Sequence, residues 1–123
     1  MNMTEYQLLA ARTINTEQPD KEKLINFVFG LAGETGETID LLKKIIFHGH
    51  DLETNRGKLT LELGDCLWYI AGIATAAGIN LEEIATRNIE KLKARYPDGF
   101  RQERSINRNT DDKNDLSVDA IGC

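Results

Sequence analysis

The sequence predicts an all-α protein of four-helix-bundle type, with a short N-terminal helix and an extended C-terminal tail. Three observations carry this prediction. Apolar residues recur at helical spacing along most of the chain, strand-type alternation occurs nowhere, and Pro19 and Pro97 fall between periodic segments rather than inside them. A chain of 123 residues is long enough for one domain with a single core that needs no disulfide or metal staple. With 41% hydrophobic and 28% charged residues, it has the composition of a soluble globular protein rather than a disordered one.

The first helix rests on Tyr6, Leu9, Ala10 and Thr13, which follow the i, i+3, i+4, i+7 rule. Pro19 and Asp20 mark the second start, with Asp20 and Glu22 favourably placed in the first turn. From Glu22 to about Phe47 the apolar residues Leu24, Phe27, Val28, Leu31, Leu41, Leu42, Ile45 and Ile46 recur. Gly30, Gly33 and Gly36 interrupt this run, each costing ~1 kcal/mol relative to Ala in a helix interior. Small residues at three-residue spacing share a face and permit close helix approach, so one long helix with room for a bend is predicted.

Gly49 and the polar run from His50 to Arg56 are expected to close that helix and form a loop. The third helix is then predicted from about Gly57 to Ala77, stopping at Gly78. Its second half, Cys66 to Ala77, is twelve residues interrupted only by Thr75, which is short of the ~20 that cross a bilayer. A helix this apolar should be surrounded by protein. Asn80 is a good N-cap for a fourth helix, with Glu83 completing a capping-box pattern. That helix carries Leu81, Ile84, Ala85, Asn88, Ile89 and Leu92 and ends before Pro97. From Arg101 the sequence is polar and weakly patterned, so the domain is placed at residues 1–104 and residues 105–123 are read as an arm or tail.

The N-terminus has no apolar run of signal-peptide type, and Cys66 and Cys123 stand in no zinc spacing, so reduced thiols and a cytoplasmic protein are expected. The formal charge of −5, from 15 Lys or Arg and 20 Asp or Glu, argues against a nucleic-acid partner, and the shortness of the longest apolar run argues against a membrane one.

The placement of the acids is more informative than their number. Glu34 and Glu37 are three apart and share a helix face with Phe27, Leu31, Leu41 and Ile45, a stripe expected to face the core. Glu62 and Asp65 repeat the spacing on the third helix. Acids at i, i+3 are common on solvated faces, but two such pairs on apolar stripes would be very costly to bury without neutralisation. A divalent cation removes the conflict, and all-oxygen ligands select Mg²⁺ or Mn²⁺. A di-iron bundle would instead place His three residues after a Glu, where this chain has Glu37 and Asp65.

The patterns GLAGETGETIDLLKK (30–44) and ELGDCLWYIAGIA (62–74), separated by a 24-residue spacer between Glu37 and Glu62, resemble the ExxE and ExxD metal motifs of MazG-like all-α nucleoside triphosphate pyrophosphohydrolases. NIEKLKARYPDGF (88–100) is similar to the stretch those enzymes carry after the third helix, and the likeness extends through FHGHDL (47–52) and back to EYQLLAART (5–13).

This resemblance implies hydrolysis of a (deoxy)nucleoside triphosphate to the monophosphate and pyrophosphate, as a pool-cleaning activity. It implies Glu34, Glu37, Glu62 and Asp65 as Mg²⁺ ligands, with a water attacking the α-phosphorus and one carboxylate, Glu37 the candidate, accepting its proton. It also implies Lys91 and Arg95 as triphosphate contacts, with Asn88 on the same face; Lys serves as a point charge and Arg as a bidentate fork. Isolated Lys93 and Arg87 read as a solvated face, and Tyr96, Pro97, Gly99 and Phe100 as a structural turn.

Trp68 follows Asp65 by three positions and is a candidate to stack on a base, although core packing suits it and Tyr69 as well. Lys43 and Lys44 suit the C-terminal dipole of the second helix, and Lys44, seven residues from Glu37, is also placed to reach phosphate. His48 and His50 read as helix-end and loop residues, and Cys66 as core. Competing readings are a phosphoribosyl-ATP pyrophosphohydrolase of the same fold and a non-catalytic helical protein that binds nucleotide or a partner. The apolar surface on several helix faces and the resemblance together predict a homodimer or homotetramer. Residues 87–108 hold seven Lys or Arg against three acids, a basic segment downstream of the acidic motifs.

Overall fold

A computed structural model describes residues 1–107, and every regular element among them is helical. The helices are α1 (Met3–Ala11), α2 (Asp20–Phe47), α3 (Leu52–Ala76), α4 (Leu81–Arg95) and α5 (Gln102–Ile106). The chain divides into two compact units, Met1–Ala85 and a second that begins at Thr86.

In the first unit α2 packs along α3, and α1 packs on α3. α1 begins at a capping box: Asn2 accepts from the Glu5 amide at 2.8 Å, and Glu5 accepts from the Asn2 amide at 3.0 Å. α2 runs unbroken through its three interior glycines as predicted. Two of the α2 and α3 glycines are explained by aromatic rings. A Cβ on Gly30 would fall 2.0 Å from Tyr69 Cε1, and one on Gly72 would fall 3.0 Å from the Phe27 ring. The rings of Phe27, Trp68 and Tyr69 meet edge to face, with centroids 5.0 to 6.4 Å apart, so they lock the two long helices together.

α3 starts five residues before the predicted Gly57, which shortens the expected 50–56 loop. Asp51 is the reason: its carboxylate accepts from the Thr54 amide at 2.7 Å and the Thr54 hydroxyl at 2.6 Å, capping Leu52 onward. At the other end the chain turns through Gly78 at φ 69°. There the amide of Ile79 donates to the Ala74 carbonyl and that of Gly78 to Thr75, a Schellman closure. Asn80 then caps α4 by accepting from the Glu82 amide at 2.8 Å. The core under this corner is small-residue packing of Ala10, Ala71, Ala74 and Leu81, with Met3, Tyr6 and Trp68 against it.

The expectation that α3 is surrounded by protein holds only around Ala71, Gly72 and Ala74. Leu61 and Leu63 on the same helix, two residues apart and so on different sides of it, are exposed among the described residues. In the second unit Gly99 at φ 87° donates its amide to the Tyr96 carbonyl, forming the turn expected there, and the Tyr96 and Phe100 rings lie 5.5 Å apart. Residues 102–106 form α5 where an extended arm was expected. The remainder of the predicted tail, 108–123, lies outside the described residues, as do Arg108 and Cys123.

Candidate metal and nucleotide site

α2 presents Glu34 and Glu37 one turn apart, and α3 presents Glu62 and Asp65 in the same way. Because α2 packs along α3, the two pairs face each other. Glu34, Glu62 and Asp65 each bring one carboxylate oxygen into a group whose members all lie within 4.8 Å of one another. Glu37 is outside this trio and lines an adjoining cleft together with Glu62.

The stripe is less enclosed than the sequence suggested. Glu34 and Glu62 are half-buried, Glu37 and Asp65 are exposed, and no polar or charged side chain among the described residues is fully buried. The electrostatic conflict persists nonetheless. Partial desolvation, followed by the charges of Glu37, Asp65 and Glu62, pushes the Glu34 carboxyl above its ordinary range. Tyr6 of α1 feels the same corner: burial and then the nearby Asp65 carboxylate raise its phenol. Three convergent hard oxygens on neighbouring helices fit a small divalent cation, and the donor set excludes a soft-metal preference.

The cleft beside the trio has a volume of about 470 Å³ and a lining of mixed charge. Glu37 and Glu62 contribute acidic groups to its wall, and Lys44, Asn55, Lys58 and His50 contribute basic and polar ones. Gly33 and Gly36 also line it, and a Cβ on either would meet nothing within 4 Å, so their missing side chains help to open the space. Asp40, also on the wall, is held down to about 2 by hydrogen bonds from Lys43 and Lys44.

Of these lining residues, Asp40, Asn55 and Lys58 escaped the sequence reading. The signal was present: Lys58 precedes Glu62 by four residues and shares its face. Asn55 carried no such signal, because a helix start at Gly57 assigned it to a loop. His48 ends α2 as expected, while His50 reaches the cleft wall.

Trp68 is half-buried, and its indole N–H donates to the Thr13 hydroxyl at 2.8 Å. Its ring also packs edge to face against Phe27 and Tyr69, so these contacts hold the side chain against α2. Cys66 is a half-buried free thiol 3.9 Å from the Thr38 hydroxyl. Asn88, Lys91 and Arg95 lie on the part of α4 that belongs to the second unit, at the predicted three- and four-residue spacings.

Among the described residues every regular element is helical, and two long helices converge acidic side chains beside a partly basic cleft, an arrangement suited to a cation together with an anionic ligand. The MazG nucleotide pyrophosphohydrolase domain matches residues 23–100, and the chain belongs to that family. It is similar to the Gene 37 protein of Mycobacterium phage L5, at 33% identity over 114 residues that cover 88% of this chain and 100% of the phage protein. No solved structure matches it. No described helix is long and apolar enough to cross a membrane.

Proposed function

We propose that this protein hydrolyses (deoxy)nucleoside triphosphates to the monophosphate and pyrophosphate, in a reaction that needs Mg²⁺ or Mn²⁺. The observation that carries the reading is the convergence of Glu34, Glu62 and Asp65 beside a cleft whose wall also bears Lys44 and Lys58. The family membership narrows the anionic ligand to a nucleotide.

Glu34, Glu62 and Asp65 would hold the ion, and Glu37, one turn from Glu34 on α2, enters as a fourth ligand through the family pattern. When bound, the ion neutralises phosphate oxygen charge and orients the α-phosphorus. Glu37, outside the trio and facing the cleft, accepts the proton of the attacking water. Lys44 and Lys58 bind phosphate oxygens as point charges. Asn88, Lys91 and Arg95 enter this reading through the family pattern, as further phosphate contacts. Trp68 is assigned to packing rather than to the base.

Exposed apolar side chains along α2 (Ile25, Val28 and Phe29) and α3 (Leu61 and Leu63) support assembly as a homodimer or homotetramer. Sedimentation equilibrium reads this directly, and a monomer at micromolar concentration would overturn it.

The activity test is pyrophosphate release from each dNTP and from phosphoribosyl-ATP, with Mg²⁺ and with EDTA. Release from a dNTP that EDTA abolishes is expected, with Glu37→Gln inactive. Preference for phosphoribosyl-ATP would move the assignment to the related branch. Metal-independent turnover, or none with any of these substrates, would overturn the proposal.

A further inference from the structure

The cleft wall contains one cation that is already engaged. Lys44 Nζ lies 2.6 Å from Asp40 Oδ2, and Lys43 Nζ lies 2.7 Å from Asp40 Oδ1, so a single carboxylate holds two ammonium groups. Asp40 and Lys44 line the cleft, whereas Lys43 is not among the residues that do. All three side chains are about half exposed, between 45% and 51%. Ion pairs in such surroundings are weak and readily exchanged.

Two physical consequences follow. A lysine ammonium on a flexible four-carbon stem can turn from one acceptor to another without backbone movement. If Lys44 leaves Asp40, Lys43 stays on the other oxygen, so the carboxylate is not stranded without a counter-charge. Lys44 also stands two helical turns beyond Glu37, about 10 Å along the axis at 1.5 Å per residue. A polyphosphate that runs along α2 from the carboxylates brings its distal phosphates within reach of Lys44, which lines the same cleft as Glu37.

We propose that Lys44 is an exchangeable anchor for the distal phosphates, held by Asp40 in the empty cleft and transferred to a phosphate oxygen in the filled one, with Lys43 neutralising Asp40 throughout. Asp40 is then a positioning residue that also competes for Lys44, which weakens retention of the pyrophosphate product. The inference rests on the triphosphate reading above and deepens it.

The test is calorimetric binding of inorganic pyrophosphate with Mg²⁺ to the wild-type chain, Lys44→Met, Lys44→Arg, Asp40→Asn and the Asp40→Asn/Lys44→Met double variant, alongside steady-state kinetics. Lys44→Met, which keeps the apolar stem, should weaken pyrophosphate about tenfold, the scale of one charge-assisted hydrogen bond. It should raise KM with little change in kcat, and Lys44→Arg should restore part of the loss. Asp40→Asn should tighten pyrophosphate severalfold when Lys44 is present and have no effect in the Lys44→Met background. Unchanged binding in Lys44→Met, weaker binding in Asp40→Asn, or an equal Asp40→Asn effect in both backgrounds would overturn the exchange. A wild-type chain that releases pyrophosphate while Lys44→Met behaves identically refutes the anchor alone. A wild-type chain that neither turns over triphosphate nor binds pyrophosphate refutes the activity and the anchor together.

Discussion

Gly30 of α2 lies directly beneath the ring of Tyr69 on α3, so close that a Cβ there would fall 2.0 Å from Cε1 and 2.3 Å from Cζ. This contact sets how near the helix carrying Glu34 and Glu37 approaches the helix carrying Glu62 and Asp65. Replacing Gly30 by Ala gains ~1 kcal/mol of helix propensity, but it forces the ring off its contacts with Phe27 and Trp68. Overpacking of this kind costs roughly 1–3 kcal/mol. Gly30→Ala is therefore expected to lower the urea midpoint, and its combination with Tyr69→Ala to show strong non-additivity.

Gly33 and Gly36 make the opposite prediction. They also sit inside α2, yet nothing lies within 4 Å of a Cβ built on either. Gly33→Ala and Gly36→Ala should each stabilise the isolated fold by up to ~1 kcal/mol, read as a higher urea midpoint. Both residues line the cleft, so the added methyl groups intrude on bound nucleotide and KM should rise. A gain in stability with no change in KM would separate these glycines from the ligand.

The helices and the acidic pairs were legible in the sequence because each depends on local spacing. Glu34 and Glu37, and Glu62 and Asp65, share faces by helical geometry whatever packs against them. The apolar run from Cys66 to Ala77 needed no partner to be read as a helix. What was not legible depends on single side-chain contacts. The Asp51 cap moved the start of α3 from Gly57 to Leu52 and thereby placed Asn55, read as loop, on a helix that lines the cleft. Whether Glu37 joins the trio or stands beside it depends on how far apart α2 and α3 sit, which Gly30 and Tyr69 set between them.

Crowding of the carboxylates predicts how the fold responds to cation. Glu34 binds its proton more tightly in the folded chain than in the unfolded one, through desolvation and through Glu37, Asp65 and Glu62. Such a group costs stability progressively as pH rises from its ordinary value through its raised one, and the cost is complete above that. At neutral pH, Glu34→Gln should therefore raise the Tm of the cation-free protein by a few degrees. Mg²⁺ should raise the wild-type Tm at constant ionic strength and leave that of Glu34→Gln nearly unchanged, because the variant has lost a ligand from the trio. Equal Mg²⁺ shifts in both proteins, measured by differential scanning fluorimetry, would remove Glu34 from the site.

Acid should act on the other end of α3. The Asp51 carboxyl is held below its ordinary value, chiefly by the Thr54 hydroxyl and then by the Thr54 amide. A carboxylate with a depressed folded-state pKa contributes stability that is present above its unfolded value and is lost as pH falls through the folded one. The cap should thus weaken below about pH 4, the range where a free aspartate takes up its proton. Asp51→Asn keeps an oxygen acceptor for the Thr54 amide, and Asp51→Ala keeps none. At pH 7 the Tm should fall in the order wild type, Asp51→Asn, Asp51→Ala, and the gap between wild type and Asp51→Ala should shrink as pH drops from 5 to 3. Fraying of Leu52 to Lys58 also displaces Asn55 and Lys58 from the cleft wall, so Asp51→Ala should raise KM for the triphosphate at neutral pH. A destabilised Asp51→Ala with unchanged KM would mean that the first turns of α3 serve the fold and not the ligand.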